Sequence, residues 1–341
     1  MLSRVAAQLY WLSRYLERAE NMARILEVGQ SLALLSKSDS SSAAPEMVSE
    51  PLVITDTLAA FEATGRPMRA DQVAQFLAWD PDHPSSIFNC VQSCRENARS
   101  VRGALTVEMW ECINDTWLEL LARKKKIKGP DHLVDSTFFE WIKERSHLFR
   151  GVTFATIQRD QPYHFIRLGT YLERADNTAR ILSVKTQVEQ DESKDLVDDY
   201  YRLGAVLRSV SALEAYRDTY RDAIDTDRVS ELLIFNPRVP RSLHFCLDET
   251  DFILKQLPQQ TGREARKRCA NLLSNLKFGS LSEVYDSGLG NYLELFVKEN
   301  IALAEAVQTD YLESIALNYR YFMKPAIAMS SHCAAASKCS A

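Results

Sequence analysis

The chain has 341 residues, of which 46% are hydrophobic and 26% charged, so it carries enough apolar surface for a sizeable core. A formal charge of −5 argues against a nucleic-acid binder working through a dominating basic surface. Eleven glycines and eleven prolines leave long stretches without a breaker, which favours long helices over many short strands.

In chain order, an amphipathic helix is predicted over 2–35, followed by a Ser/Ala-rich linker over 36–51. Shorter helices follow over 52–63 and 70–78. The segment Asp80-Pro81-Asp82-His83-Pro84 must break the chain, because proline lacks a donor and restrains its predecessor. A long helix or helix pair then runs over 85–126, ending in a basic run at 123–128 that reads as a solvated helix end. Another helix covers 132–149. After Pro162 the pattern restarts, with helices over 163–190, 194–224, 228–235, 241–256, 262–277 and 291–322. Only Val53-Ile54-Thr55 looks strand-like. The small, polar tail over 325–341, with His332, Cys333 and Cys339, reads as a disordered end. No run of about 18 apolar residues occurs, so no membrane partner is expected. The start MLSRV shows no signal region, and seven cysteines lack a CxxC pair; both suit a cytoplasmic location.

The strongest signal is an internal repeat. Tyr15 to Leu26 reads YLERAENMARIL and Tyr171 to Leu182 reads YLERADNTARIL, identical at ten of twelve positions. The same offset of 156 residues pairs Pro81 with Pro237, Pro84 with Pro240, Ser86 with Ser242 and Cys90 with Cys246. The expected architecture is therefore all-α, with two tandem pseudo-symmetric helical-bundle repeats over 1–156 and 157–324. One helical layer cannot bury its apolar face alone, so the halves should pack about a pseudo-twofold axis.

On a helix, Leu12, Tyr15, Leu16, Ala19, Ala23 and Leu26 share an apolar arc. Glu17, Glu20, Asn21 and Arg24 fall at i, i+3, i+4 and i+7 and form one polar stripe. Glu173, Asp176, Asn177 and Arg180 reproduce it, with Arg18 and Arg174 at the boundary between faces. Arg14 extends the first stripe, whereas its counterpart is Thr170, so the two sites cannot be equivalent. Three readings stay open: an exposed face laced by ion pairs, a buried ion network between the halves, and a polar cleft for a charged ligand. Carboxylate-bridged metal bundles use Glu-x-x-His, whereas here no histidine is in step and arginines stand beside the acids, so no metal is assigned. No phosphate loop, HExxH or GxSxG pattern is present, and Gly288-Leu289-Gly290 lacks strand context; no cofactor is assigned. His244 and Cys246 point apart on a helix, and Trp110, Trp117 and Trp141 sit among apolar neighbours, so packing accounts for all five.

At these two motifs the chain resembles the bacterial alpha-E domain family. The likeness extends to MLSRVAAQLYWLSRYLERAEN, to ENARSVRGALTVEMWECIN from Glu96, to ATIQRDQPYHFIRLGTYLERADNTARIL from Ala155, and to NPRVPRSLHFCL from Asn236. Gly103-Ala104-Leu105 and the Ser-rich linker depart from the family pattern. The resemblance implies an accessory or substrate-handling module of a system containing a circularly permuted ATP-grasp ligase and a transglutaminase-like protein, which makes or modifies peptide-type amide bonds. Glu17, Arg18, Glu20, Arg24, Glu173, Arg174, Asp176 and Arg180 carry over as a polar site of unassigned roles, with Asn21 and Asn177 beside them in the stripes. The alternatives are an enzyme using the motif carboxylates as general acid and base, and a pure scaffold.

Overall fold

A computed structural model describes residues 1–36, 45–127, 134–186 and 196–313, and among these it is helical throughout, with no strand. The predicted tail and its His332, Cys333 and Cys339 lie outside the described residues. The first segment gives α1 (Ser3–Ser36), α2 (Pro45–Ile54), α3 (Leu58–Glu62), α4 (Ala70–Trp79), α5 (Ile87–Ser100), α6 (Val107–Lys126) and α7 (Ser136–Thr156). The second gives α8 (Gln161–Thr186), α9 (Leu196–Ser209), α10 (Leu213–Tyr220), α11 (Thr226–Phe235), α12 (Leu243–Gln256), α13 (Arg263–Phe278), α14 (Leu281–Ser287) and α15 (Leu289–Val307). A π-helical turn, Gln308–Leu312, follows α15.

Local chemistry sets the helix starts. Ser86 and Ser242 cap α5 and α12, each accepting the backbone N–H three residues on. Thr106, Asp135 and Asp225 cap α6, α7 and α11 in the same way. Ser280 and Glu283 form a reciprocal capping box at α14. The starts of α11, α12 and α13 fall 156 residues after those of α4, α5 and α6. The double-proline loops agree in detail: the Asp82 and Arg238 amides donate to Oδ1 of Asp80 and Asn236, and the Ser86 and Ser242 amides donate to the carbonyls of His83 and Val239.

Several expectations need correction. The linker at 36–51 is helical from Pro45, whose missing N–H costs nothing at a first helical position. Val53 and Ile54 therefore close a helix rather than opening a strand, with Leu52 and Ile54 buried. Of the two forms expected for 85–126, the structure shows the pair, divided by a 3-10 turn at Arg102–Ala104. The helix expected over 194–224 stops at Ser209 because Ser211 adopts a left-handed conformation (φ +52°), which a helix interior does not admit. Helix α14 had no expectation at all.

Two apolar cores result, and α1 runs through both. Its first half, with Leu9, Leu12 and Leu16, packs among residues of α5, α6, α8 and the later helices. Its second half, with Ala19, Ala23 and Leu26, packs among residues of α2, α4, α5, α6 and α7. Trp141 is buried in that core, while Trp110 and Trp117 are half-buried at the core edges. The close approach of α1 and α8 depends on Gly169. A Cβ there would lie 2.3 Å from both the Tyr10 carbonyl oxygen and Ser13 Oγ, and Ser13 is the residue 156 positions earlier. Among the described residues no helix is long and apolar enough to cross a membrane.

Candidate functional site

The polar stripe of α1 is not an exposed face. Glu17 is 1% exposed and Glu20 0%, and Asn21 and Arg24 are buried with them. The apolar arc of α1 faces the cores, so the stripe meets what remains around it: α7, α8 and the loop before α12. Each of these supplies arginine.

The centre is a reciprocal pair between α1 and α8. Arg174 chelates Glu17 through Nε (2.9 Å) and Nη2 (3.1 Å), and Arg18 chelates Glu173 through Nε (2.6 Å) and Nη2 (3.1 Å). Forked, charge-assisted geometry of this kind is the strongest ion pairing available to side chains. Around Glu17 the remaining contacts are Arg241 Nη1 at 3.0 Å and Arg150 Nη1 at 2.9 Å. Glu20 receives Arg241 Nη2 at 2.6 Å and its own-helix Arg24 Nε at 2.9 Å. Arg150 Nη1 also stands 2.6 Å from Glu20 Oε2, though without hydrogen-bonding alignment. Asn21 Oδ1 accepts from Arg241 at 2.8 Å, leaving its amide nitrogen unpartnered. Arg24 donates to Ser211 Oγ (2.6 Å) and lies 3.2 Å from His147 Nε2.

Burial raises the cost of ionising Glu17 and Glu20, but Arg174, Arg241 and Arg150 around Glu17, and Arg241, the His147 hydrogen bond, Arg150 and Arg24 around Glu20, outweigh it and hold both carboxyls below the usual range. Glu173 is likewise opposed by burial but pulled down to about 2 by Arg18 and Arg14. Arg14, Arg18 and Arg174 are raised: burial lowers them, and their glutamates more than compensate. Arg241 goes the other way, to about 10, because burial dominates and Arg174 and Arg24 crowd it. Carboxylates so strongly held as anions are poor proton acceptors, and their oxygens already face arginine.

The second stripe is built differently. Glu173 joins the clasp, and Arg14 Nε adds a 2.8 Å contact to it. Asp176 and Arg180 pair with each other at 2.8 Å, with side chains 20% and 25% exposed. Asn177 leaves its amide nitrogen without a partner. Thr170 stands where the first stripe has Arg14, which accounts for one difference between the stripes. The larger differences lie outside the motif: positions 85, 303 and 306 are serine, leucine and alanine, where Arg241, His147 and Arg150 stand in the other half. Sequence reasoning missed those three residues. Arg241 belonged to the quoted NPRVPRSLHFCL segment, while α7 gave no signal.

His244 and Cys246 are buried packing residues; His244 Nδ1 lies 2.8 Å from the Phe235 carbonyl oxygen, and burial pushes the Cys246 thiol up to about 12. A cavity of about 330 Å³ opens between the end of α6 and the start of α7, lined by Trp79, Glu119, Arg123, Lys126, Asp135 and Phe138 among others. No motif residue lines it.

The fold and this site define an all-helical protein whose Glu-Arg dipeptides, Glu17-Arg18 and Glu173-Arg174, clasp two long helices where they cross. The chain belongs to the Alpha-E family, described as "a predicted alpha-helical domain with a conserved ER motif", whose model matches residues 1–312. It is similar to uncharacterized proteins of Mycobacterium bovis and of two strains of Mycobacterium tuberculosis, each 27% identical over 285 residues. The match covers 78% of this chain but 31% of each relative, so the chain spans less than a third of the curated relatives it matches. No solved structure matches it.

Proposed function

We propose that this chain is an accessory helical module of an ATP-grasp amide-ligase system, and that its motif acids and arginines are structural rather than catalytic. The observation that carries the structural part is the reciprocal pair: Arg174 on Glu17 and Arg18 on Glu173, with every carboxylate oxygen in it already facing a guanidinium. A general base needs a free lone pair and a pKa near the working pH, and these carboxylates have neither. We read the chain as two tandem repeats, 1–156 and 157–324, whose motif helices cross at equivalent residues. The reciprocal pairs and the Ser13–Gly169 approach support this reading, because residue i meeting j while j meets i is the signature of a twofold contact.

The accessory part rests on family resemblance and on the relatives, which carry this region within much longer chains. A module so placed works beside other polypeptide, here an ATP-grasp ligase and a transglutaminase-like protein in the cytoplasm. The test is to purify this chain with the neighbouring ATP-grasp protein and follow ATP-dependent amide formation by mass spectrometry. The expected result is a complex whose activity falls when this chain is omitted. Equal activity without it, and no complex on co-purification, would leave the scaffold reading alone.

A further inference from the structure

The clasp uses one particular edge of its arginines. Arg18 and Arg174 each present Nε and Nη2 to a carboxylate. Arg150 on α7 reaches the same cluster through Nη1 alone, which serves Glu17, Glu20 and Ser146 Oγ. Among the described residues its Nε and Nη2 have no acceptor, and its side chain is 29% exposed. The fork that chelates glutamate twice elsewhere in this site is here turned toward solvent.

His147 stands one turn earlier on α7, three residues away and therefore on the same face, with its side chain 55% exposed. Its Nε2 lies 3.2 Å from a guanidinium nitrogen of Arg24, which has only protons to offer. The same Nε2 lies 3.5 Å from Glu20 Oε1, so His147 borders the carboxylate cluster as well as Arg24. The ion pairs of Glu17 and Glu20 bring together Arg24 of α1, Arg150 of α7, Arg174 of α8 and Arg241 of the loop before α12. Among the described residues four arginines there meet two carboxylates; Arg241, lowered to about 10 chiefly by burial, is lowered further by Arg174 and Arg24.

We propose that the free Nε/Nη2 edge of Arg150, beside His147, is a docking point for a carboxylate of a peptide or amino-acid ligand, which adds an anion to this cation-rich cluster. The proposal rests on the structural reading of the motif, since it assigns Arg24 and Arg174 to the clasp and leaves Arg150 for the ligand. Arginine suits this role because its planar fork matches a carboxylate bidentately, whereas lysine offers a point charge.

The test is calorimetric titration of the full chain at fixed ionic strength with free glutamate, with tri-alanine and with tri-alanine amide. Saturable binding of glutamate or tri-alanine, absent for the amide, is expected, and the two arms separate a free amino acid from a peptide C-terminus. Arg150→Lys keeps a cation toward Glu17 and Glu20, so it should fold, yet it lacks the fork and should weaken binding about tenfold. His147→Gln should weaken it less. No saturable binding, equal binding of the amide, or unchanged affinity in Arg150→Lys would overturn the proposal. None of these results bears on the clasp, which is judged by the melting temperature of Glu17→Gln.

Discussion

Replacing Glu17 by glutamine tests the clasp most directly. The side chain keeps its shape, but one carboxylate oxygen becomes an NH2 and the negative charge disappears. Arg174 loses a bidentate anion, Arg241 and Arg150 lose theirs at 3.0 and 2.9 Å, and the new amide meets at least one guanidinium donor to donor. Breaking a buried pair by removing one partner costs roughly 3–5 kcal/mol, because the remaining charges stay buried without compensation. At about 2 °C per kcal/mol for a chain of this size, the melting temperature should fall by roughly 6–10 °C. Asp176→Asn is the internal control: its pair with Arg180 is a quarter exposed and solvent-screened, so the loss should stay within about 1 kcal/mol. Calorimetry with helical content checked by circular dichroism reads both. A Glu17→Gln protein that melts within about a degree of the native one would refute the structural reading, since a ligand site sacrifices stability and gains it back when its charge is removed.

Three further outcomes follow from the same geometry. Glu173 is depressed from 4.5 to about 2, so its contribution, about 3 kcal/mol, is fully present above about pH 4.5 and is lost as the pH falls toward 2; acid titration of stability should show that loss reduced in Glu173→Gln. Gly169→Ala should cost about 1–3 kcal/mol by forcing α1 and α8 apart, whereas Gly151→Ala, whose new methyl meets nothing within 4 Å, should be neutral or stabilising in a denaturant melt. Cys90, Cys94, Cys112, Cys246 and Cys269 are buried and their thiols are pushed up by burial, so a thiol reagent should reach these five only on unfolding; fast labelling of any of them in the native protein would contradict the core packing.

Much of the fold was legible because its signals are local. Apolar periodicity and the scarcity of breakers placed the helices, and Ser86 and Ser242, read as repeat partners, are the caps that start α5 and α12. What escaped was backbone geometry that tertiary packing decides. Ser211 turns left-handed in a stretch with helical periodicity, and the Ser-rich linker turns helical at Pro45 because Leu52 and Ile54 find a core. Helix α14 is seven residues held by a capping box, too short for a period to show.

The site was legible in its residues and not in its environment, and the reason is physical. Helical spacing shows that Glu17, Glu20, Asn21 and Arg24 share a face, but it cannot say what meets that face. The same twelve-residue pattern sits in two settings. Around the first, Arg241, Arg150 and His147 close over the acids. Around the second, the corresponding positions hold Ser85, Ala306 and Leu303, and Ser85 offers only a 3.4 Å hydroxyl contact to Arg18. A buried carboxylate needs cations from outside its own helix, because an i,i+4 pair alone is worth a few tenths of a kcal/mol and does not offset desolvation. Glu20 and Asp176, at matching positions, therefore differ: Glu20, with Arg241 added, tolerates complete burial, whereas Asp176, paired among the described residues with Arg180, stays partly in water. Supplying the missing cation tests this. Ser85→Arg, placed where Arg241 stands in the other half, should pair with Asp176 and slow hydrogen exchange at the α8 amides around it. If exchange at those amides is unchanged in that variant, burial at Glu20 has another cause than the arginine beside it.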